Sequence, residues 1–429
     1  MASVPTQPLD FRAYGHIDRM AATVHDGAMS DVDLTDPALI DDPYPTLAEW
    51  RSQGPMLRAQ DGRWVATTHA AVGATLRDRA LGRIWSDWQP VEEMEPFNFL
   101  HRNQLMENEP PEHTRMRRLL AGAFAKGHVE RMRPRIEELA EAMLDDLDPD
   151  PARPLDILAT YAEPMPVFVI ADLLGVPRED HVRLRDWSQA IVHMYEQGVD
   201  ETTRQAAVRA SVDFAAYVRE VIEMRRERPG EDLVSDLIAE RDDDAAGFTD
   251  DELVATVVLL LNAGHEASVN TFGNGLVSLL HHPDQLRRIT SGEVSAATAL
   301  EELIRFDAPL QMFERTATQD VEIAGANIRA GETVACLMGS ANRDADVFGD
   351  DSLTGADAFD VSRDPNPHVG FGLGRHFCLG APLARVELEV TLRRLLARFP
   401  SIALSDTPPR RPTWVLRGYE SVPVNLTFA

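Results

Sequence analysis

The sequence predicts a mainly α-helical protein with a small β portion. Between about residues 114 and 290, apolar residues recur at steps of three and four, as in IEELAEAMLDDL, which is typical of amphipathic helices. After Asp307, short apolar segments such as VEIAG and ETVACLM alternate with Gly and Asn turns, which predicts short strands. RWVATTH near residue 65 predicts a further strand, followed by a short helix. A last long helix is expected from about Pro382 to Phe399.

The first 40 residues are rich in proline and aspartate and show no clear periodicity. We therefore expect a loosely packed arm over residues 1–40 and a single domain over residues 41–429. The N-terminal segment lacks the basic-then-apolar pattern of a secretion signal. The longest apolar run, Leu253–Leu261, is shorter than the roughly 20 residues that span a bilayer, which favours a buried core helix.

Acidic residues outnumber basic ones by 70 to 42, for a formal net charge of −28. This balance argues against nucleic acid or an anionic membrane as a partner. The two cysteines, Cys336 and Cys378, form neither a secreted disulfide framework nor a CxxC zinc motif. We therefore expect a reducing, cytoplasmic location. Neither a GxGxxG after a strand nor a P-loop is present, so no nucleotide site is indicated.

One helix is marked especially clearly. Thr249 and Glu252 form a T-x-x-E capping box, and the helical pattern continues to about His281, ahead of a proline. Such a helix would be roughly 48 Å long and could cross the whole molecule. Its centre carries Gly264 and Glu266, which are unfavourable in a buried apolar helix. Local rules broken at one place indicate a functional site.

The segment FGLGRHFCLG, residues 371–380, carries three glycines and Cys378 just before a predicted helix. Backbone amides at a helix start stabilise a thiolate, which suits a metal ligand. A buried, inert cysteine in a glycine-rich turn is an equally good interpretation of these residues alone.

This segment resembles the haem-binding loop of cytochromes P450, F-G-x-G-x-H-x-C-x-G, at every fixed position. The resemblance extends from about residue 40 to the C-terminus. Four further segments are similar to P450 signatures and follow in the family's order: HTRMR at 113–117, ELIR at 302–305, NRD at 342–344 and FDVSR at 359–363. The resemblance implies the P450 fold, a triangular prism with a long central helix over the haem.

The resemblance also implies which residues hold haem b. Cys378 would supply the axial thiolate, which favours O–O cleavage. Phe371 would pack beneath the haem near the sulfur, and Gly372 would also bind the cofactor. Glu302, Arg305 and Arg363 would form a buried ion network with a structural role. Four cations would bind the haem propionates, since buried carboxylates need charge-assisted partners: His113, Arg117, Arg315 and His376.

The middle of the central helix is similar to the family's oxygen-binding motif, A/G-G-x-D/E-T. Ala263, Gly264 and Glu266 match, but Ala267 stands where the family usually has a threonine that helps to deliver protons. Ordered water, a hydroxyl of the substrate, or a reaction that depends less on this relay would each explain the departure. Glu266 is interpreted as part of a proton relay, with a purely structural carboxylate as the alternative.

Substrate contacts follow by analogy to the family. They are expected at Leu259, Asn262, Ala263, Leu310, Met312 and Tyr419. Nothing in these residues identifies the small organic substrate, and for Asn262 a satisfied core amide is an equal alternative.

The segment from His113 to Arg135 carries seven Lys or Arg residues and one Glu in an otherwise acidic chain. Together with Arg375, it predicts a basic patch that docks an acidic ferredoxin, itself reduced by a ferredoxin reductase. A helix surface offset by acidic neighbours is the alternative.

The sequence thus predicts a haem-thiolate mono-oxygenase that uses O2 to oxidise an organic compound of bacterial secondary metabolism. Oxidative coupling or desaturation is the alternative reaction. A non-catalytic haem sensor and a haem-free thiol enzyme are alternatives from other classes.

Overall fold

A computed structural model describes residues 32–148, 153–243, 247–349 and 354–427. Helices dominate it, as the periodicity predicted. The α-helices within these ranges are α1 (Ala38–Asp41), α2 (Tyr44–Gln53), α3 (His69–Arg77), α4 (Val91–Arg102), α5 (Glu112–Ala121), α6 (Lys126–Asp145), α7 (Pro164–Leu174), α8 (His181–Val192), α9 (Glu201–Glu227), α10 (Leu233–Asp243), α11 (Asp250–His281), α12 (Pro283–Thr290), α13 (Ala296–Phe306), α14 (Met338–Ala341), α15 (Ala345–Phe348) and α16 (Ala381–Arg398).

The β portion is small. Its strands are β1 (Met56–Arg58), β2 (Trp64–Ala66), β3 (Leu81–Gly82), β4 (Leu155–Asp156), β5 (Met312–Ala317), β6 (Val321–Ile323), β7 (Ala326–Ile328), β8 (Thr333–Leu337), β9 (Ser401–Leu404) and β10 (Pro423–Thr427). The largest sheet has the order β1-β2-β8-β5-β3. Only its β2–β8 pair is parallel. The strands β4-β10-β9 form a second sheet, and β6 pairs with β7.

The central helix α11 begins at the predicted capping box. The Thr249 hydroxyl accepts from the backbone amide of Glu252, and the Glu252 carboxylate accepts from that of Thr249. It is the one described helix long and apolar enough to cross a bilayer, but 78% of its apolar window is buried inside the protein. It packs against α7, α8, α9, α13 and α16. The expected core helix is therefore confirmed.

The expected loose arm over residues 1–40 is wrong for its last residues. Val32, Leu34 and Leu39 are almost fully buried, in a cluster with Trp50 and Trp414. Val32 also forms a parallel bridge with Ala59. These apolar side chains fix the segment against the large sheet, whereas residues 1–31 lie outside the described residues.

Candidate functional site

The cysteine loop turns on two glycines with left-handed backbone, Gly372 at φ 68° and Gly374 at φ 74°. The backbone amide of Cys378 donates to the carbonyl of Phe371 at 2.9 Å, and this bond closes the loop. Helix α16 begins three residues after the cysteine. The half-buried thiol therefore lies at a helix start, as the sequence predicted.

The surroundings of Cys378 act on its thiol in opposite directions. Burial raises its pKa, whereas backbone amides of Gly380 and Ala381 and the charge of Arg117 lower it. Arg117 itself donates to the carbonyl of Phe377 at 2.8 Å. Donors and a cation are thus already arranged around the sulfur, and a metal ion would add the charge that a thiolate needs in this buried position.

The structure brings together the two predicted histidines. The rings of His113 and His376 lie 4.4 Å apart. His376 Nε2 lies 2.7 Å from Oε1 of Glu109, which also pairs with Arg375. His113 Nε2 is buried without a hydrogen-bond partner in the described part of the chain. Burial, and then the charge of His376, lowers the pKa of His113 to about 4.

Arg315 lies within electrostatic range of His376 and is 2% exposed. Its one described hydrogen bond is to the carbonyl of Glu314, at 2.8 Å, and no carboxylate within the described ranges forms an ion pair with it. Burial lowers the pKa of Arg315 to about 10. A buried guanidinium that forms no ion pair within the described ranges fits a propionate of a bound haem.

The middle of α11 presents an open strip in an otherwise buried helix. Ala263 is exposed, and Asn262, Gly264 and Ala267 are half-buried, whereas the helix is buried before and after this stretch. Asn262 Oδ1 is buried and has no described partner. Such a strip requires open space beside the centre of the core helix, which fits a haem and a substrate lying there.

Glu266 is 6% exposed and forms an ion pair with Arg411. Arg411 also donates to the carbonyl of Tyr419 at 3.0 Å and to Glu163 at 3.4 Å. The second carboxylate oxygen of Glu266 is buried and has no hydrogen-bond partner within the described ranges, and His265 Nδ1 lies 4.0 Å from it. The chain thus satisfies one oxygen with an arginine 145 positions away, a partner that sequence reasoning missed.

The residues predicted to contact substrate lie in different environments. Ala263 and Asn262 are in the open strip, and Leu310 is half-buried and bridges Leu416. Leu259, Met312 and Tyr419 are at most 8% exposed and belong to apolar clusters. The side chain of Met312 packs in the same cluster as Leu34 and Trp414. Substrate contact at all six positions stays a prediction.

The predicted ion network behind the cysteine loop is present. Glu302 and Arg305 are fully buried and joined by two hydrogen bonds of 2.7 Å. Arg363 lies 3.3 Å from Glu302. Arg305 also donates to the carbonyls of Asn342 and Ala356, so the pair ties α13 to the segments that lead to the loop.

The basic segment is offset in part by acidic neighbours. Arg115 pairs with Glu252, Arg133 with Glu130 and Glu389, Arg135 with Asp172, and Arg375 with Glu109. Arg118, Lys126 and Arg131 are exposed and form no ion pair within the described ranges. Acidic neighbours therefore offset part of the basic segment, and the patch that could dock a ferredoxin, which stays a prediction, is smaller than the count of basic residues indicates.

Comparison with known proteins agrees with this geometry. The family model for cytochrome P450 matches residues 88–295 and 296–422. Nocardicin C N-oxygenase of Nocardia uniformis subsp. tsuyamanensis is 38% identical over 398 residues, which are 91% of this chain and 96% of the relative. The 6-deoxyerythronolide B hydroxylase of Saccharopolyspora erythraea is 37% identical, over 89% of this chain and 96% of the relative.

Solved structures of P450 enzymes share the fold. P450BioI in complex with an acyl-carrier protein superposes with a TM-score of 0.85 at 31% identity, and covers 91% of this chain and 100% of its own. The tirandamycin C-bound mono-oxygenase TamI gives a TM-score of 0.80 at 32% identity, over 91% of this chain and 99% of its own. With its cysteine loop, its buried ion pair and its open central helix, the chain belongs to the cytochrome P450 family and is a mono-oxygenase of that family.

Proposed function

We propose that this mono-oxygenase hydroxylates a small organic substrate of bacterial secondary metabolism in the cytoplasm. The proposal rests on the open strip around Ala263 on the buried central helix, where a substrate could lie. The same protein has a half-buried cysteine at a helix start, which suits an iron ligand. Haem b, when bound through Cys378, would supply the activation of O2 and the transfer of one oxygen atom to the substrate.

The chain's own residues would hold the haem. Cys378 would ligate the iron, with Phe371 and Gly372 beneath it. Arg315 and His113 would gain the carboxylate partners that they lack within the described ranges. His376 and Arg117 would complete the cationic side. Because each propionate would be a buried carboxylate, these contacts would be worth more than the same pairs in water.

The substrate would bind on the side of the haem away from Cys378. It would contact Leu259, Asn262, Ala263, Leu310, Met312 and Tyr419. The unpartnered Oδ1 of Asn262 supports a substrate that carries a hydrogen-bond donor there. Gly264, Glu266 and Ala267 would shape the place where protons enter. The ion pair between Glu266 and Arg411 would keep that carboxylate at a fixed position.

Electrons would come from a ferredoxin and its reductase. Three exposed cations, Arg118, Lys126 and Arg131, follow the haem-binding histidine along the chain and form no described ion pair. Phe377, beside Cys378, is one of the few large apolar side chains that are exposed, at 37%. Arg117 in α5 donates to the Phe377 carbonyl at 2.8 Å, so this helix lies beside the exposed ring, and a basic surface with an apolar contact suits an acidic redox protein.

Oxidative coupling or desaturation is the second candidate, favoured by the absence of a hydroxyl at Ala267. A spectral screen of polyketides, terpenoids, aromatics and cyclic peptides would first find ligands that shift the spin state of the haem. Turnover with NADH and a ferredoxin system under 18O2 then separates the reactions. Hydroxylation adds one labelled oxygen to the product, whereas coupling or desaturation removes two hydrogens and adds no label. Unlabelled product would overturn the hydroxylation proposal.

A further inference from the structure

Arg83 is a second, largely buried arginine beside Arg315. Strands β3 and β5 pair antiparallel, with Gly82 opposite Thr316. The next step of this register sets Arg83, which directly follows β3, opposite Arg315. Side chains directly opposite each other project from the same face of a sheet, and like charges at such positions are destabilising.

The two guanidinium groups share one aromatic neighbour. That of Arg83 lies 4.5 Å from the ring centre of Phe313, and that of Arg315 lies 4.8 Å from it. The side chain of Arg83 is only 14% exposed. Two cations are thus held close together where water does little to screen the repulsion between them.

Only one of the two cations forms an ion pair within the described ranges. Glu107, itself buried, pairs with Arg83. A guanidinium has five N–H donors, but the one described hydrogen bond from the Arg83 side chain goes to Glu107, and its Nε is buried without a partner in the described part of the chain. Arg83 therefore has donors left for a ligand, and a carboxylate is an acceptor that pairs well with a guanidinium.

Glu109 places Arg83 at the predicted haem-binding side. Its Oε1 accepts from the backbone amide of Arg83 at 2.8 Å and lies 2.7 Å from Nε2 of His376. The same oxygen thus fixes the backbone of Arg83 and the ring of a predicted propionate ligand. Sequence reasoning missed Arg83 because it lies outside the segments that resemble family motifs.

We propose that Arg83 binds a carboxylate beside Arg315. This inference rests on the proposed function. Two ligands carry that group: haem b, whose propionate Arg83 would share with Arg315, and a substrate acid, which Arg83 would hold next to that propionate. In either case a carboxylate would relieve the repulsion between the two cations and use the spare donors of Arg83.

Haem and its dimethyl ester test the first ligand, since the ester keeps the ring but has no propionate charge. The variant is Arg83→Met with Glu107→Met, because removing Arg83 alone would leave a buried carboxylate without its partner. Haem should pass to excess apomyoglobin roughly tenfold faster than from the wild type, whereas loss of the dimethyl ester should be unchanged. Equal acceleration of both would mean that Arg83 acts only through the fold, which would overturn the proposal.

Spin-state titrations test the second ligand, with myristic acid and 3-phenylpropionic acid each compared with its methyl ester. If the substrate supplies the carboxylate, the wild type should bind at least one acid roughly tenfold more tightly than its ester. The double variant should lose this preference without losing haem faster. A double variant that alters neither haem loss nor an acid preference would overturn the proposal.

Arg63→Met with Glu314→Met is the matched control, because it also removes an ion pair from the large sheet. Glu314 directly precedes Arg315 in β5, so its side chain projects from the opposite face. The control should leave haem loss and any acid preference as in the wild type. If the reduced, CO-bound wild type lacked the Soret band of thiolate ligation, the proposed function would fail instead.

Discussion

Arg315 is a buried cation that forms no ion pair with a carboxylate in the described part of the chain. In our account a haem propionate supplies that charge. Arg315→Met should therefore have opposite effects on two states. The haem-free protein should gain about 1–3 kcal/mol in free energy of unfolding, because an uncompensated buried charge is removed. The haem-loaded protein should lose haem faster to an acceptor such as apomyoglobin.

Arg58→Met is the control for this substitution, since Arg58 is on the same sheet but 40% exposed and paired with Glu332. It should change neither quantity measurably. If Arg315→Met retained haem as firmly as the wild type, Arg315 would not be a propionate ligand.

Glu387 in α16 is 4% exposed and forms no ion pair within the described ranges, so it makes a prediction about how stability depends on pH. Burial raises its pKa to about 8, so the folded protein keeps a proton that the unfolded chain has already lost. The stabilisation that this proton gives is complete below the unfolded pKa and is lost as the pH rises to about 8. The free energy of unfolding of Glu387→Gln relative to wild type should therefore increase between pH 5 and 8, by up to about 1.4 kcal/mol per pH unit, and then level off.

Urea titrations of both proteins at pH 5, 7 and 9 measure this difference. Glu137→Gln on α6 serves as a control with the opposite sign, because Arg394 and Arg393 lower the pKa of Glu137 against the effect of its burial. The stability from Glu137 is lost as the pH falls. A pH-independent difference for Glu387→Gln would contradict a neutral buried carboxyl group.

Helices α5 and α6 carry the proposed electron-transfer surface. Because several of their basic residues form ion pairs with acidic neighbours, the unpaired ones are expected to dock the ferredoxin. Charge reversal at the unpaired Arg118 and Arg131 should slow the first-electron transfer from an acidic ferredoxin, by about tenfold or more at low salt. The effect should fade as salt screens the charges. Stopped-flow reduction of the haem under carbon monoxide measures the rate.

Arg209→Glu is the matched control, since Arg209 is also exposed but lies on α9, which packs against α8 and α4. It should leave the rate close to that of the wild type. An unaltered rate in the double reversal at Arg118 and Arg131 would remove α5 and α6 from the docking surface.

The ends of helices were predictable where the signal is local. The capping box of α11 uses two residues three positions apart, and a proline follows its last turn. Both ends could therefore be predicted from residues close together in the sequence. The same holds for α16, which begins with Ala381 and Pro382. The burial of Val32 and Leu34 was missed because it depends on a sheet whose strands come later in the chain.

At the scale of the whole molecule, the Glu302–Arg305 pair joins α13 to the segments before the cysteine loop. Arg305→Met should destabilise the protein by about 3–5 kcal/mol, because the buried Glu302 loses both 2.7 Å hydrogen bonds from Arg305 and keeps only Arg363, at 3.3 Å, as a cationic neighbour. Haem incorporation should fall with it. Chemical unfolding and the ratio of haem to protein after purification measure both effects.

The exposed pair of Arg102 and Glu95 provides the comparison, because both side chains are more than a third exposed. Arg102→Met should cost less than about 1 kcal/mol. Equal losses in the two variants would mean that the buried pair has no special structural role.

The parts of the site that sequence reasoning missed are contacts between distant segments. The cysteine, the histidines and the E-x-x-R pair lie in recognisable motifs. In contrast, Glu109 reaches His376 across 267 positions and Arg411 reaches Glu266 across 145. No local pattern encodes such pairs, because they arise from helix packing.

Ligation of iron by Cys378 is the central claim, and the reduced, CO-bound spectrum of the haem-loaded protein tests it most directly. The wild type and Cys336→Ala should both show the red-shifted Soret band of thiolate ligation. Cys378→Ser should lose that band at equal haem content. A haem-replete wild type without the shifted band, or its persistence in Cys378→Ser, would contradict the account.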